Sequence, residues 1–309
     1  MSLTVVGSIA FDSVRTPFGE RERMLGGSAV HFALAASFFT DVHVVGPVGD
    51  DFGEEHFELL RTRGVDVADI ERVAGGETFF WRGHYDYDLN VAHTEDTQLN
   101  VFGEFEPKLS DASRAADVLF LANIQPDLQR EVRGQCENAR LGALDSMNLW
   151  IETARESLTA AIHEVDCLIL NDAEIRMLTE QPNLARAARA IMELGPRVVI
   201  AKQGEYGAAM FTPTGFFALP GFPLDDVRDP TGAGDSFAGG FLGYLDGAAE
   251  RLEDGHLLLD DAILRRAMAH GTVLASFNVE AFGTERVSTL KRDEIDARLG
   301  ELRGMTHFA

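Results

Sequence analysis

The chain has 309 residues, 45% of them hydrophobic, which is enough to fill the core of one large α/β domain or two smaller ones. Its 27 Lys and Arg against 50 Asp and Glu give a formal charge of -23, which disfavours nucleic acid and acidic membrane surfaces as partners. Only three of the basic residues are lysines (Lys108, Lys202, Lys291), and this acid-rich, lysine-poor composition suits a salt-rich cytoplasm that screens self-repulsion. Cys136 and Cys167 alone make no disulfide framework and read as two buried thiols.

Residues 3–9 form a β-branched run that reads as a strand, without the basic segment of a secretory leader. No apolar run reaches membrane-spanning length, so a cytoplasmic location is the expectation. Residues 13–25, with Pro17-Phe-Gly19 at their middle, have the pattern of a β-hairpin. Helical spacing follows over 27–39 and 52–63, with a strand at 42–45 between them. Further strands are predicted at 118–121, 141–144, 167–170 and 198–201, and helices at 152–163, 184–194, 233–245 and 260–277. This alternation predicts a doubly wound, mostly parallel sheet flanked by helices on both faces. With no repeat and no low-complexity linker, a single domain over residues 1–309 is the simplest organisation.

Residues 78–91 break the alternation. Phe79, Trp81, Gly83, Tyr85, Tyr87 and Leu89 fall on odd positions, whereas Arg82, His84, Asp86, Asp88 and Asn90 fall on even ones. Period two predicts one strand with an aromatic face and a polar face. Together with the hairpin, it predicts a small β-sheet lid beside the main sheet, built from segments near 12–25 and 76–106.

The most informative motif is Asp229-Pro-Thr-Gly-Ala-Gly-Asp-Ser-Phe-Ala-Gly-Gly240, which leads into an apolar helix. Glycines that let backbone N–H groups converge, followed by a helix N-terminus, make an anion cradle. Asp235 would repel a bound phosphate unless its task is to accept a proton during transfer. A P-loop is excluded because no lysine follows a glycine, and a dinucleotide fold is disfavoured because residues 223–230 are too polar for a buried strand.

Joined to Gly26-Gly27 upstream and Asn171-Asp-Ala-Glu174 between them, this motif gives the chain a near end-to-end resemblance to the PfkB (ribokinase-like) carbohydrate kinases. The family signature Asp-Thr-x-Gly-Ala-Gly-Asp is matched except for Pro230. The resemblance implies ATP-dependent phosphorylation of a sugar or nucleoside hydroxyl. Asp235 would be the base, with the N–H groups of Gly232, Ala233 and Gly234 as the anion hole. It implies that Asn171 and Glu174 organise magnesium through its waters, although Asn171 also reads as a helix N-cap. Lys202, Gly204 and Gly207 match the family turn that runs along the nucleotide, which Thr231 would also line. Asp229 and Thr231 stand where some members hold potassium. Residues 275–283 fall where relatives enclose the adenine.

For the acceptor, the resemblance implies hydrogen bonds from Asp12 and close backbone approach at Gly26 and Gly27. Ser28 replaces a frequent Asn, and His31 stands where ribokinase-like members carry a second Asn. His31 is therefore either a sugar ligand or a core histidine. Arg82, His84, Asp86 and Asn90 are polar candidates from the lid, and Phe79, Trp81 and Tyr85 offer stacking surface for a base. A sugar kinase is the first reading and a nucleoside kinase the second, with a non-catalytic binding protein of the same fold more remote and an oxidoreductase remoter still. Family lids often pair between subunits, which implies a homodimer.

Overall fold

The computed structural model describes residues 2–248, 250, 257 and 259–307. Its strands are β1 (Ser2–Val6), β2 (Ala10–Thr16), β3 (Gly19–Gly26), β4 (Asp41–Val48), β5 (Val65–Asp66), β6 (Ile70–Arg72), β7 (Phe79–Tyr85), β8 (Ala92–Gln98), β9 (Val118–Leu121), β10 (Leu141–Leu144), β11 (Cys167–Asn171), β12 (Val198–Lys202), β13 (Ala208–Thr212) and β14 (Gly215–Leu219). The main sheet runs β14-β13-β12-β11-β10-β9-β1-β4-β5, with β6 also paired to β4. All its pairings are parallel except those of β13 with β12 and β14.

The central strands are continuous apolar runs because both faces are covered. Successive residues feed opposite layers: Val5 and Ala143 join the core under helices Ser28–Ala36 and Ala233–Ala248, whereas Val6 and Leu144 join the core under helices Pro126–Gln135 and Arg155–Ile162. Phe32 stacks on Phe120 with ring centroids 4.4 Å apart, fixing helix Ser28–Ala36 over β9.

The lid is a separate sheet ordered β3-β2-β7-β8. Two antiparallel hairpins meet along a parallel seam, where Asp12 pairs with Trp81 and Val14 with Gly83. The expected single strand over 78–91 is corrected: β7 ends at Tyr85, the chain turns through 86–91 and β8 returns. Asp86 and Asp88 begin that turn, with Leu89 N–H bonded to the Asp86 carbonyl and Asn90 N–H to Asp88 Oδ1. The helix expected over 152–163 is also divided, into Asn148–Thr153 and Arg155–Ile162, by a non-helical backbone at Ala154. Helices Asp172–Thr179 and Arg292–Thr306 and the β13–β14 hairpin add to the predicted set. Among the described residues no helix is long and apolar enough to cross a membrane.

Candidate active site

Because β10, β11 and β12 are parallel, their C-terminal ends open on one edge of the sheet. Each delivers a polar residue there: Asp145 just after β10, Asn171 closing β11 and Lys202 closing β12, with Asn171 and Lys202 in direct register. Lys202 Nζ stands 2.9 Å from Asp145 Oδ2, and both side chains are largely buried. Asp145 is the component that the motifs did not reveal. It follows an ordinary apolar strand, and only the fold brings it to Lys202.

Helix Asp172–Thr179 starts with a capping box. Asn171 Oδ1 accepts the Glu174 N–H at 2.8 Å, and Glu174 Oε2 accepts the Asn171 N–H at 2.8 Å. The N-cap expected of Asn171 is present, and its oxygen is committed to that cap. Burial pushes the Glu174 carboxyl up to about 7, with Asp145 raising it further and Lys202 and Asn171 opposing.

Asp235 lies in the first turn of helix Ala233–Ala248, half-buried at the strand ends. Burial first, then the Asp145 charge, push its carboxyl up to about 8; Lys202 and its own backbone N–H pull down, and Asp12 adds to the rise. Lys202 also touches the glycine loop, since a Cβ on Gly234 would stand 2.9 Å from Nζ. Burial disfavours the ammonium, yet Asp145, Glu174 and Asp235 together raise its pKa on balance, so it stays charged. Of the three amides expected in the anion hole, that of Ala233 is otherwise engaged, donating to the Pro230 carbonyl to close a turn. The N–H groups of Gly232 and Gly234 have no partner among the described residues.

Asp12 enters from the lid side, buried, and is pushed up to about 7 by burial and by Asp229, against a hydrogen bond from the Gly27 N–H. Gly26 makes room for it: a Cβ there would fall 1.9 Å from Asp12 Oδ2. Trp81, Gly83 and Tyr85 share the face of Asp12 across the β2–β7 seam. The Tyr85 hydroxyl reaches Thr231 Oγ1 at 3.2 Å, and burial pushes its pKa upward. Lid and glycine loop are thus in contact. Gly204 faces the lid turn, where its Cβ would meet Asn90 Oδ1 at 2.7 Å, and Gly207 lies at the other end of the short turn that Gly204 opens.

Four of the expected acceptor and cation residues are placed as follows. Arg82 lies on the opposite face of β7, exposed, with its guanidinium over the Phe80 ring, while His84 on that face pairs with Glu95 at 2.7 Å. Ser28 is buried and bonded to Ser8 through both its hydroxyl and its N–H, so its side chain braces the loop before the helix. His31 is buried beneath Gly232 and bonded to Asn278, the core placement of its two readings. Asp229 is fully buried and divides its oxygens between the N–H groups of Thr231 and Gly283, each at 2.9 Å, so it braces two loops.

The donor chemistry does suit magnesium. Among the described residues no group of three or more His, Cys, Asp and Glu side chains forms a metal cage. Asp145 nevertheless repels both Glu174 and Asp235 at the strand ends, an acidic setting that fits a hydrated divalent ion.

Comparison with known proteins gives a consistent picture. The model of the pfkB family carbohydrate kinases matches residues 3–290. A cytidine kinase of Thermococcus kodakarensis is 28% identical over 255 residues, covering 80% of this chain and 90% of that protein. An ATP-dependent ribose-1-phosphate kinase of Halopiger xanaduensis is 31% identical over 230 residues, covering 73% and 75%. Among solved structures, a nucleoside kinase of Methanocaldococcus jannaschii, an archaeal member of the ribokinase family, superposes with a TM-score of 0.76 at 21% identity, over 97% of this chain and 98% of the other.

Proposed function

Since the chain belongs to the pfkB family of carbohydrate kinases, we propose that it moves the γ-phosphoryl group of ATP to a hydroxyl of a sugar or sugar-like acceptor, with Asp235 as general base. The observation that carries this reading is the pairing of Asp235, pushed up to about 8, with the glycine loop and Lys202. A base whose pKa lies near the working pH accepts a hydroxyl proton readily while a fraction of it stays ionised. Around it, Gly232 and Gly234 present unpartnered N–H groups at a helix N-terminus, where charge on a transferring phosphoryl group is stabilised.

Lys202 serves both ends of the reaction. It limits the rise in the Asp235 pKa and places a positive charge beside Gly234, against the path of the phosphates. Asp12 accepts hydroxyl hydrogen bonds from the acceptor and orients it toward Asp235. Tyr85, bonded to Thr231, couples the lid to the loop and helps exclude water. Glu174 and the Asn171 turn would hold magnesium through water, and the ion would neutralise phosphate charge when bound.

A nucleoside acceptor is the second reading. It is favoured by the half-buried aromatic faces of Phe79 and Trp81 on the site side of the lid and by relatives that are cytidine and nucleoside kinases. ADP formation with matched sugars and nucleosides separates the two. Turnover with nucleosides and not with free sugars selects the second reading.

A further inference from the structure

Behind the glycine loop, buried polar side chains from three helices meet at the Asn278 amide, which is bonded to one peptide of the loop. His31 Nδ1 lies 2.9 Å from Asn278 Oδ1, and Ser236 Oγ donates to the same oxygen at 3.0 Å. The other end of the amide is committed too, with Asn278 Nδ2 donating to the Thr231 carbonyl at 2.7 Å. This fixes the chemistry of His31. An amide oxygen only accepts, so the imidazole carries its proton on Nδ1, and burial pushes its pKa down to about 4 and keeps the ring neutral. Nε2 is left as a buried acceptor with no partner among the described residues. The ring face is the floor under Gly232, where a Cβ would fall 2.3–2.4 Å from Nδ1, Cε1 and Cγ and where φ is +76°.

Peptide planarity carries this arrangement into the cleft. The Thr231 carbonyl and the Gly232 N–H belong to one trans peptide and point in opposite directions. With the carbonyl tied to fully buried Asn278, the N–H faces away from the core, on the side of Asp235. We propose that His31 and Asn278 are positioning residues, which lock the Thr231–Gly232 peptide so that the Gly232 N–H is aimed at the transferring phosphoryl group. The inference rests on the kinase reading above. It explains why a histidine suits this place, since one ring supplies both a flat surface for Gly232 and a donor for Asn278. Ser236 alone leaves the Asn278 oxygen half-satisfied and the amide less firmly oriented.

The test compares His31→Phe, which keeps the flat ring and removes the donor, with His31→Asn, whose amide places an N–H where Nδ1 stood, and with Asn278→Asp, which cannot donate to Thr231. Misaiming one anion-hole donor is expected to lower kcat about 10–100-fold in His31→Phe and Asn278→Asp, with KM for ATP and acceptor within about threefold of wild type. His31→Asn should recover most of the loss. Wild-type kcat in His31→Phe, a loss carried by KM alone, or a His31→Asn variant no better than His31→Phe would each overturn the proposal. If Asn278→Asp does not fold, the two His31 variants decide. If wild-type protein phosphorylates no acceptor, the kinase reading fails, and crystal structures of wild type and His31→Phe judge the positioning claim by themselves. A rotated Thr231–Gly232 peptide supports it, and an unmoved one overturns it.

Discussion

Removing either end of the Asp145–Lys202 pair should move the pH dependence of catalysis in opposite directions. Lys202 pulls the Asp235 pKa down, whereas Asp145 pushes it up from a distance at which the two carboxylates repel. In the intact site Asp235 titrates at about 8, so kcat/KM should fall tenfold per unit below that pH as the base becomes protonated. Loss of an opposite charge next to a carboxylate changes its pKa by about 1–3 units, so Lys202→Met should carry the acid limb upward by that amount. At pH 7 this corresponds to a drop of about 10- to 1000-fold, each unit being about 1.36 kcal/mol. Asp145→Asn removes a repelling charge and should carry the limb downward. The groups that share this environment, Asp12 and Glu174, remain in both variants. The assay is kcat/KM for the acceptor between pH 5.5 and 9.5 at saturating ATP and magnesium. Limbs that move the same way, or a Lys202→Met limb that does not move, would refute the electrostatic reasoning.

Because Asp235 binds its proton more tightly folded than unfolded, its burial weakens the fold as pH rises from its unfolded value near 4 through about 8. Asp235→Asn should therefore raise stability by about 0.5–2 kcal/mol at pH 9 and leave it nearly unchanged at pH 3.5, as urea unfolding would report; equal gains at both would contradict the sign. Gly26→Ala should displace the Asp12 carboxylate, 1.9 Å from the new Cβ, and raise the acceptor KM about 10–100-fold while leaving that for ATP unchanged, the scale of one charge-assisted hydrogen bond. An unchanged acceptor KM would remove Asp12 from acceptor binding. With a formal charge of -23, the protein should gain thermal stability between about 0.1 and 2 M KCl as repulsion is screened, and a flat response would count against a salt-adapted surface.

The sequence made the parallel sheet readable because β9, β10, β11 and β12 are buried on both faces and so appear as short uninterrupted apolar runs. The glycine motif likewise singles out Asp235 as a candidate, because it places a carboxylate in the first turn of a helix behind a glycine loop. What stayed hidden depends on side-chain direction and on contacts distant in sequence. The period-two pattern identified the two faces of β7, but only its pairing with Asp12 tells that Trp81 and Tyr85, and not Arg82, turn toward the cleft. In the sequence His31 reads equally as ligand or core, because its partner, Asn278, is 247 residues away. Asp145 carried no motif, since its meaning comes from Lys202 on a strand two places across the sheet. Nothing near Asp229 in the sequence marks its bond from the Gly283 N–H, 54 residues away.

The central claim is that Asp235 removes the acceptor proton during phosphoryl transfer, and the most direct measurement is acceptor-dependent ADP formation by wild type and Asp235→Asn under the same conditions. The account predicts turnover with at least one sugar or nucleoside, reduced about 10²- to 10⁴-fold in Asp235→Asn with ATP affinity retained. Near-normal turnover in that variant would contradict it, as would the absence of any acceptor that raises ADP formation by wild type.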